Sequence, residues 1–219
     1  MLKLFSRLIA PDRCILCNGE GAGVCGDCQT HSLTRRASTC YLCNAITKDE
    51  RICARCQWRT PIRRCTTLWR LDAAAETVVY GLKYEGREDI ARSIAAIIKD
   101  TPLSFYDVIS FVPDTPQRKR QRGYVPPQLI ARELSRLTRK PYVEVLERTR
   151  HIPQVGAGKQ ARWRQVKGNF TAKNHDVISG QRILLIDDVI TTGATVTECA
   201  KTIKRAGSGP IYAVAVAKK

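Results

Sequence analysis

The sequence is poor in acidic residues and has no long apolar run. Twenty Asp and Glu stand against 37 Lys and Arg, a formal net charge of +17 over 219 residues. That balance suggests polyanion partners, either nucleic acid or phosphate-rich small molecules. No apolar stretch approaches the roughly 18–20 residues that cross a bilayer. The strongest, Ile183–Ile186 and Ile94–Ile98, have the length of core elements. Histidine is scarce, and His31, His151 and His175 show no ligand spacing. Low-complexity tracts are absent. Apolar residues make up 43% and charged residues 26%, which excludes a mainly disordered chain and a collagen-like one. The length suits one or two domains.

The basic excess is not a tail. Residues 1–71 carry 12 basic and 5 acidic groups, and residues 72–219 carry 25 and 15. Cysteine, in contrast, is concentrated. Eight of the ten form four C-x-x-C pairs within residues 14–56: Cys14/Cys17, Cys25/Cys28, Cys40/Cys43 and Cys53/Cys56. Two such knuckles complete a tetrahedron of thiolates around Zn²⁺. The metal then supplies folding energy that a short, loop-rich segment lacks. Disulfides would need an oxidising compartment. Met1–Pro11 carries only scattered apolar residues and no small-residue cleavage site, so it reads as a short amphipathic turn and not an export signal. The expectation is one or two zinc ions in a cytoplasmic protein. Spacing alone leaves the pairing open. Cys14, Cys17, Cys25 and Cys28 can hold one ion and Cys40, Cys43, Cys53 and Cys56 another, or the knuckles can pair in a crossed brace. Cys65 and Cys199 fall outside the pattern.

After Pro61 the texture changes, which suggests a Cys-rich domain over 1–60 and a second domain over 61–219. Apolar spacing predicts helices over Ala73–Leu82, Asp89–Lys99, Pro127–Arg139 and Thr195–Ala206. Short β-branched or continuous apolar runs predict strands at Thr66–Leu71, Val108–Val112, Val143–Leu146, Ile183–Ile186 and Ile211–Val216. Such alternation implies an α/β fold, a mostly parallel sheet flanked by helices. Arg148–Lys173 holds seven Lys or Arg and no acid. It reads as a mobile cationic loop able to close over an anionic substrate.

The most informative segment runs from Ile183 to Thr195. An apolar strand delivers Asp187 and Asp188 to its carboxyl end, and Thr191-Thr192-Gly193-Ala194-Thr195 leads into a helix. Ligands of open α/β sheets bind at such ends. The threonines offer hydroxyl donors, Gly193 can take a positive φ, and the helix start adds free N–H groups and positive dipole. That chemistry fits the phosphate of a ribose 5-phosphate. The two carboxylates would repel a phosphate but accept hydrogen bonds from sugar hydroxyls. A Walker loop is excluded, because G-x-x-x-x-G-K-[ST] does not occur.

This segment resembles the phosphoribosyl-pyrophosphate (PRPP) motif of type I phosphoribosyltransferases. A double zinc ribbon ahead of such a domain resembles the ComF family. Leu82-Lys83-Tyr84-Glu85-Gly86-Arg87 is similar to its L-K-Y-x-G-R segment, and Val112-Pro113 with Arg122-Gly123-Tyr124 to its V-P…R-G-F-N-Q segment. Gln154, Gly156, Arg162, Arg164, Gly168 and Phe170 match its basic loop. Val125-Pro126, Ala157-Gly158 and Gln165 depart from the family pattern, where a second substrate or pyrophosphate would be handled.

The resemblance implies a phosphoribosyltransferase-like fold and a competence role, the handling of incoming single-stranded DNA in natural transformation together with other uptake or recombination proteins. Asp187 and Asp188 would then be the catalytic pair. Arg118, Lys119, Arg120 and Arg122 would meet pyrophosphate, with Arg162 and Arg164 in the closing loop and Mg²⁺ accompanying PRPP in a working enzyme. Trp163, Lys159 and Lys167 are the nucleic-acid candidates, since an aromatic between cations can stack on bases. Trp58, Trp69, Tyr124 and Phe170 also lie near basic residues. Three functions remain open: a DNA-uptake protein with a phosphoribosyl site, an active transferase with an unidentified acceptor, or a PRPP sensor that binds DNA without chemistry.

Overall fold

The computed structural model describes residues 11–103, 106–149 and 159–219. In chain order its elements are α1 (Gly26–His31), β1 (Ile62–Arg70), α2 (Ala73–Tyr84), α3 (Glu88–Lys99), β2 (Val108–Phe111), α4 (Pro116–Arg122), α5 (Pro126–Thr138), β3 (Leu146–Arg148), α6 (Lys159–Val166), β4 (Phe170–Ala172), α7 (His175–Ile178), β5 (Ile183–Ile190), α8 (Ala194–Arg205) and β6 (Ile211–Lys218).

β1, β6, β5 and β2 form a four-stranded sheet in that order, every neighbour parallel. β5 and β6 are interior strands, so both faces must be apolar, and Ile183–Ile186 and Ala213–Ala217 are all buried. Leu184, Ile186, Val214 and Val216 share one core with Ile90 and Ile94 of α3 and Ile130 and Leu134 of α5. Ile183, Leu185, Ala213 and Ala215 share the other with Val196, Cys199, Ala200 and Ile203 of α8. Each buried Leu or Ile contributes about 1.5–3 kcal/mol relative to exposure. Local signals set the helix starts. The Asp72 side chain caps α2 by accepting from Ala75 N at 3.0 Å. Pro126 and Pro127 open α5, where a missing N–H costs nothing.

Ile186 pairs with Phe111, the last residue of β2, while Asp187 pairs with Ala215 of β6. The carboxylates therefore emerge where β2 has ended and a crevice opens beside β5. The Cys-rich segment is not detached from this body. Val24 and Leu33 join the first core, and Tyr41, Leu42 and Ile52 join the second.

Two expectations need correction. The cationic stretch is not simply a loop: α6 lies within it, and β3 and β4 pair antiparallel at its two ends, Arg148 opposite Phe170. Apolar Trp163, Val166 and Phe170 pack into the second core and hold this segment down. The expected strand over Val143–Leu146 is displaced. Tyr142 makes one parallel bridge to Ile109, and the strand proper is Leu146–Arg148. Gln154 and Gly156, like residues 1–10, lie outside the described residues. Among the described residues no helix is long and apolar enough to cross a membrane.

Candidate functional site

A cavity of about 240 Å³ opens at the carboxyl end of β5, lined by Lys83, Arg118, Arg122, Arg148, Asp187, Asp188, Thr191 and Thr195 among others. A second, of about 310 Å³, shares Arg118, Arg148, Thr191 and Thr195 with it and adds Thr192, Ala194 and Arg162. The two aspartates differ. Asp187 is 8% exposed. Burial, with Asp188 beside it, raises its carboxyl well above the usual carboxylate range, against the backbone N–H of Asp188 and the charge of Lys83. Asp188 is half-buried, and its Oδ2 lies 2.9 Å from Lys83 Nζ. Lys83, from α2, thus balances the carboxylate charge. The sequence matched Lys83 to a family segment without giving it a role.

The loop after β5 turns directly into a helix start. Gly193 has φ +76° and precedes α8. The first helical bond runs from Thr197 N to Gly193 O at 3.1 Å, and Thr192 Oγ1 accepts from Ala194 N at 3.4 Å. The N–H groups of Thr195 and Val196 lie inside that first turn, where such groups have no intrahelical acceptor and are able to meet an anion. Behind the loop sits Tyr41, a knuckle residue between Cys40 and Cys43. Its hydroxyl donates to Thr60 Oγ1 at 2.7 Å and pairs with Thr197 Oγ1 at 2.6 Å. A Cβ at position 193 would lie 2.8 Å from Tyr41 Cε2. Gly193→Ala is therefore expected to cost about 1–3 kcal/mol, from left-handed strain and overpacking together. Chemical denaturation will read that loss, and an unchanged midpoint would count against the tight seating.

The cations are arranged around Asp114. Arg122 Nη1 lies 3.0 Å from its Oδ2 and Arg118 Nη1 3.7 Å from its Oδ1. Arg148 borders both cavities. Burial lowers its pKa, its Nε is buried without a hydrogen-bond partner among the described residues, and its guanidinium lies 5.5 Å from the Phe170 ring centroid. A desolvated guanidinium in that position favours an anionic ligand. Sequence reasoning did not single out Arg148 as a site residue; its place as the first residue of the cationic stretch was the available signal.

The eight knuckle cysteines form two groups in sequential order: Cys14, Cys17, Cys25 and Cys28, then Cys40, Cys43, Cys53 and Cys56, with all Sγ atoms of a group within 4.8 Å of one another. The crossed pairing is excluded. The donor set fits a tetrahedral thiophilic cation. Burial would raise the Cys14 thiol, but backbone N–H groups of Cys25, Cys17 and Leu16 outweigh it and bring it down to about 6. The Ala45 N–H leads in lowering Cys43 to about 7. Burial and neighbouring thiols push Cys28 and Cys56 up to about 12. Four thiolates this close cannot all ionise without a cation among them.

No protein-family model matches the chain. The DNA utilization protein YhgH of Escherichia coli K12 is 27% identical over 220 residues, covering 93% of this chain and 96% of that protein. Competence protein F of Haemophilus influenzae is 24% identical over 212 residues, 89% of this chain and 92% of that protein. The chain is a homologue of both.

Among solved structures, the glutamine PRPP amidotransferase of B. subtilis aligns with 62% of this chain at 19% identity and TM-score 0.42, a match spanning 30% of that enzyme. Adenine phosphoribosyltransferase from Thermoanaerobacter pseudethanolicus aligns with 63% of this chain and 83% of its own at 15% identity and TM-score 0.40.

In this YhgH and competence protein F homologue, the expected residues separate into three groups. Asp187, Asp188, Thr191, Thr195, Arg118 and Arg122 border the first cavity, and Thr192, Ala194 and Arg162 the second. Lys119 and Arg120 are exposed on α4 and line neither cavity. Trp163, Arg164 and Lys167 border a different groove, against α8. The Lys159 side chain lies outside the described residues.

Proposed function

We propose that the chain binds a phosphorylated ribose of the PRPP type at the β5–α8 loop and serves in the handling of incoming single-stranded DNA. In this reading residues 1–60 are a zinc-binding domain, residues 61–219 a phosphoribosyltransferase-like domain, and the work is cytoplasmic, in natural transformation. The observation that carries the ribose site is one cavity joining a helix-start phosphate cradle (Thr191, Thr195) to a carboxylate pair (Asp187, Asp188). The phosphate takes N–H and hydroxyl donors while the carboxylates accept from ring hydroxyls. The homologues' names, DNA utilization protein and competence protein, support the DNA role.

A transferase reading draws on the joined cavities. Arg118 and Arg148 border both, so a diphosphate leaving the sugar would stay neutralised. Mg²⁺, when bound with PRPP, would supply charge neutralisation at that diphosphate. Arg122, held by Asp114, would orient beside it.

Calorimetric titration with PRPP tests the site. Saturable binding is expected. Asp188→Asn, which removes an ionic acceptor, and Thr195→Val, which removes a phosphate donor, should each weaken it about tenfold or more. Unchanged affinity in both variants would remove the ribose assignment. Pyrophosphate release with one of a panel of nucleobases would favour the transferase reading.

A further inference from the structure

α6 separates two surfaces. Arg162 and Gln165 border the phosphate-loop cavity. Trp163, Arg164 and Lys167 instead face α8 across a groove of about 630 Å³, whose opposite wall carries Lys201, Lys204 and Arg205. Among the described residues one carboxylate lines this groove, Glu198, which accepts from Gly168 N at 3.1 Å and from Arg205 Nη2 at 3.4 Å. Lys204 Nζ donates to Ser208 O at 2.7 Å. Arg164, Lys167 and Lys201 face the same opening with no carboxylate of their own in its lining. Like charges gathered along two packed helices repel one another, and a polyanion laid between them relieves that repulsion.

Aromatic surface adjoins the cations. The Arg59 guanidinium lies 5.5 Å from the Trp163 ring centroid and 6.0 Å from that of Trp58. Trp58 is 83% exposed. A tryptophan, a guanidinium plane and a second tryptophan in succession form a stacking platform. A duplex keeps its bases stacked on one another and offers only phosphates. A single strand offers both phosphates and free base faces.

We propose that this groove binds single-stranded DNA, with phosphates on Arg164, Lys167 and Lys201 and bases on the Trp58–Arg59–Trp163 platform. The inference rests on the DNA-handling reading above and gives it a location. Because Arg162 on the same helix borders the phosphate-loop cavity, a strand in the groove runs beside the ribose site.

The test is fluorescence anisotropy of the full chain with a labelled oligo-dT of about 30 nucleotides and a duplex of equal length. Three released counterions predict roughly a fortyfold loss of single-strand affinity between 50 and 300 mM salt, from a slope of about 0.7 per contact in log affinity against log salt. Lys167→Glu combined with Lys201→Glu should lower affinity tenfold or more. Trp58→Ala, an exposed change with little consequence for folding, should reduce the preference for single strand over duplex about fivefold or more. PRPP binding should be unchanged in both variants. Equal affinity for duplex, or a charge-reversed protein that folds and binds as before, would overturn the groove assignment while leaving the ribose site standing. No binding by the wild type would end both the groove and the DNA half of the proposed function. PRPP titration would still judge the other half alone.

Discussion

Stripping zinc with a strong chelator is expected to unfold the Cys-rich segment and to weaken PRPP binding tenfold or more. The first effect follows from chemistry. Each quartet holds its thiols within 4.8 Å of one another, and structural zinc supplies about 10–16 kcal/mol in peptides that otherwise stay unfolded. The second follows from where the second quartet sits. Between Cys40 and Cys43 lie Tyr41 and Leu42, both buried, both within van der Waals reach of a Cβ built at Gly193. Tyr41 also ties Thr60 to Thr197 through its hydroxyl, which burial keeps protonated by raising its pKa. Asn44 Oδ1, one residue further, accepts from Lys218 Nζ at the end of β6. Losing the knuckle thus removes the support behind the phosphate loop. The two quartets should separate by substitution. Cys43→Ser should lower both melting temperature and PRPP affinity. Cys17→Ser, whose quartet packs on α2 and α3, should lower the melting temperature alone. Metal analysis, circular dichroism and calorimetry on the same samples check this. Full PRPP affinity in a metal-free, Cys43→Ser protein would show that the knuckle does not support the loop.

Asp187→Asn is expected to stabilise the unliganded protein while weakening PRPP binding tenfold or more. The Asp187 carboxyl is buried next to Asp188, and both facts raise its pKa above that of an unfolded chain, about 3.9. The sign follows from linkage. A group whose folded pKa is raised contributes stability that is fully present below the unfolded pKa and is lost as pH rises through the folded one. Asparagine suffers no such loss. The variant should therefore match the wild type near pH 4 and exceed it by about 1–3 kcal/mol at pH 8, the ordinary penalty for a buried polar group left short of partners. Ligand affinity moves the opposite way, because an ionic acceptor for the sugar hydroxyls is gone. Such opposition marks a residue kept for function against stability. Asp188→Asn should show no comparable gain, since it leaves Lys83 without its partner at 2.9 Å. Urea denaturation at the two pH values gives the stabilities. A variant less stable than wild type at pH 8 would refute the strained-carboxylate account.

The legible parts of this protein were those where local chemistry and tertiary role coincide. Ile183–Ile186 reads as an interior strand because an interior parallel strand tolerates no polar face, and it is one. Gly193 reads as free to take a positive φ ahead of a helix, and it does so at the start of α8. The cationic stretch misled for the complementary reason. Charge density dominates Arg148–Lys173, but Trp163, Val166 and Phe170 decide its shape by packing into the second core. Lys119 and Arg120 looked equivalent to Arg118 and Arg122. Only the turn of α4 sends the outer pair toward Asp114 and leaves the middle two in water.

From the sequence alone came the four C-x-x-C pairs, the α/β alternation, and the carboxylate–threonine–glycine segment between an interior strand and a helix. All three depend on neighbours within a few residues, where spacing already implies geometry. Tertiary structure decided the rest: sequential pairing of the knuckles, Lys83 against Asp188, Arg148 between two cavities, and Tyr41 beneath Gly193. Tyr41, for example, also reaches the Thr197 hydroxyl, 156 positions away. The formation of these contacts depends on how helices and knuckles pack on the sheet, which no local pattern encodes.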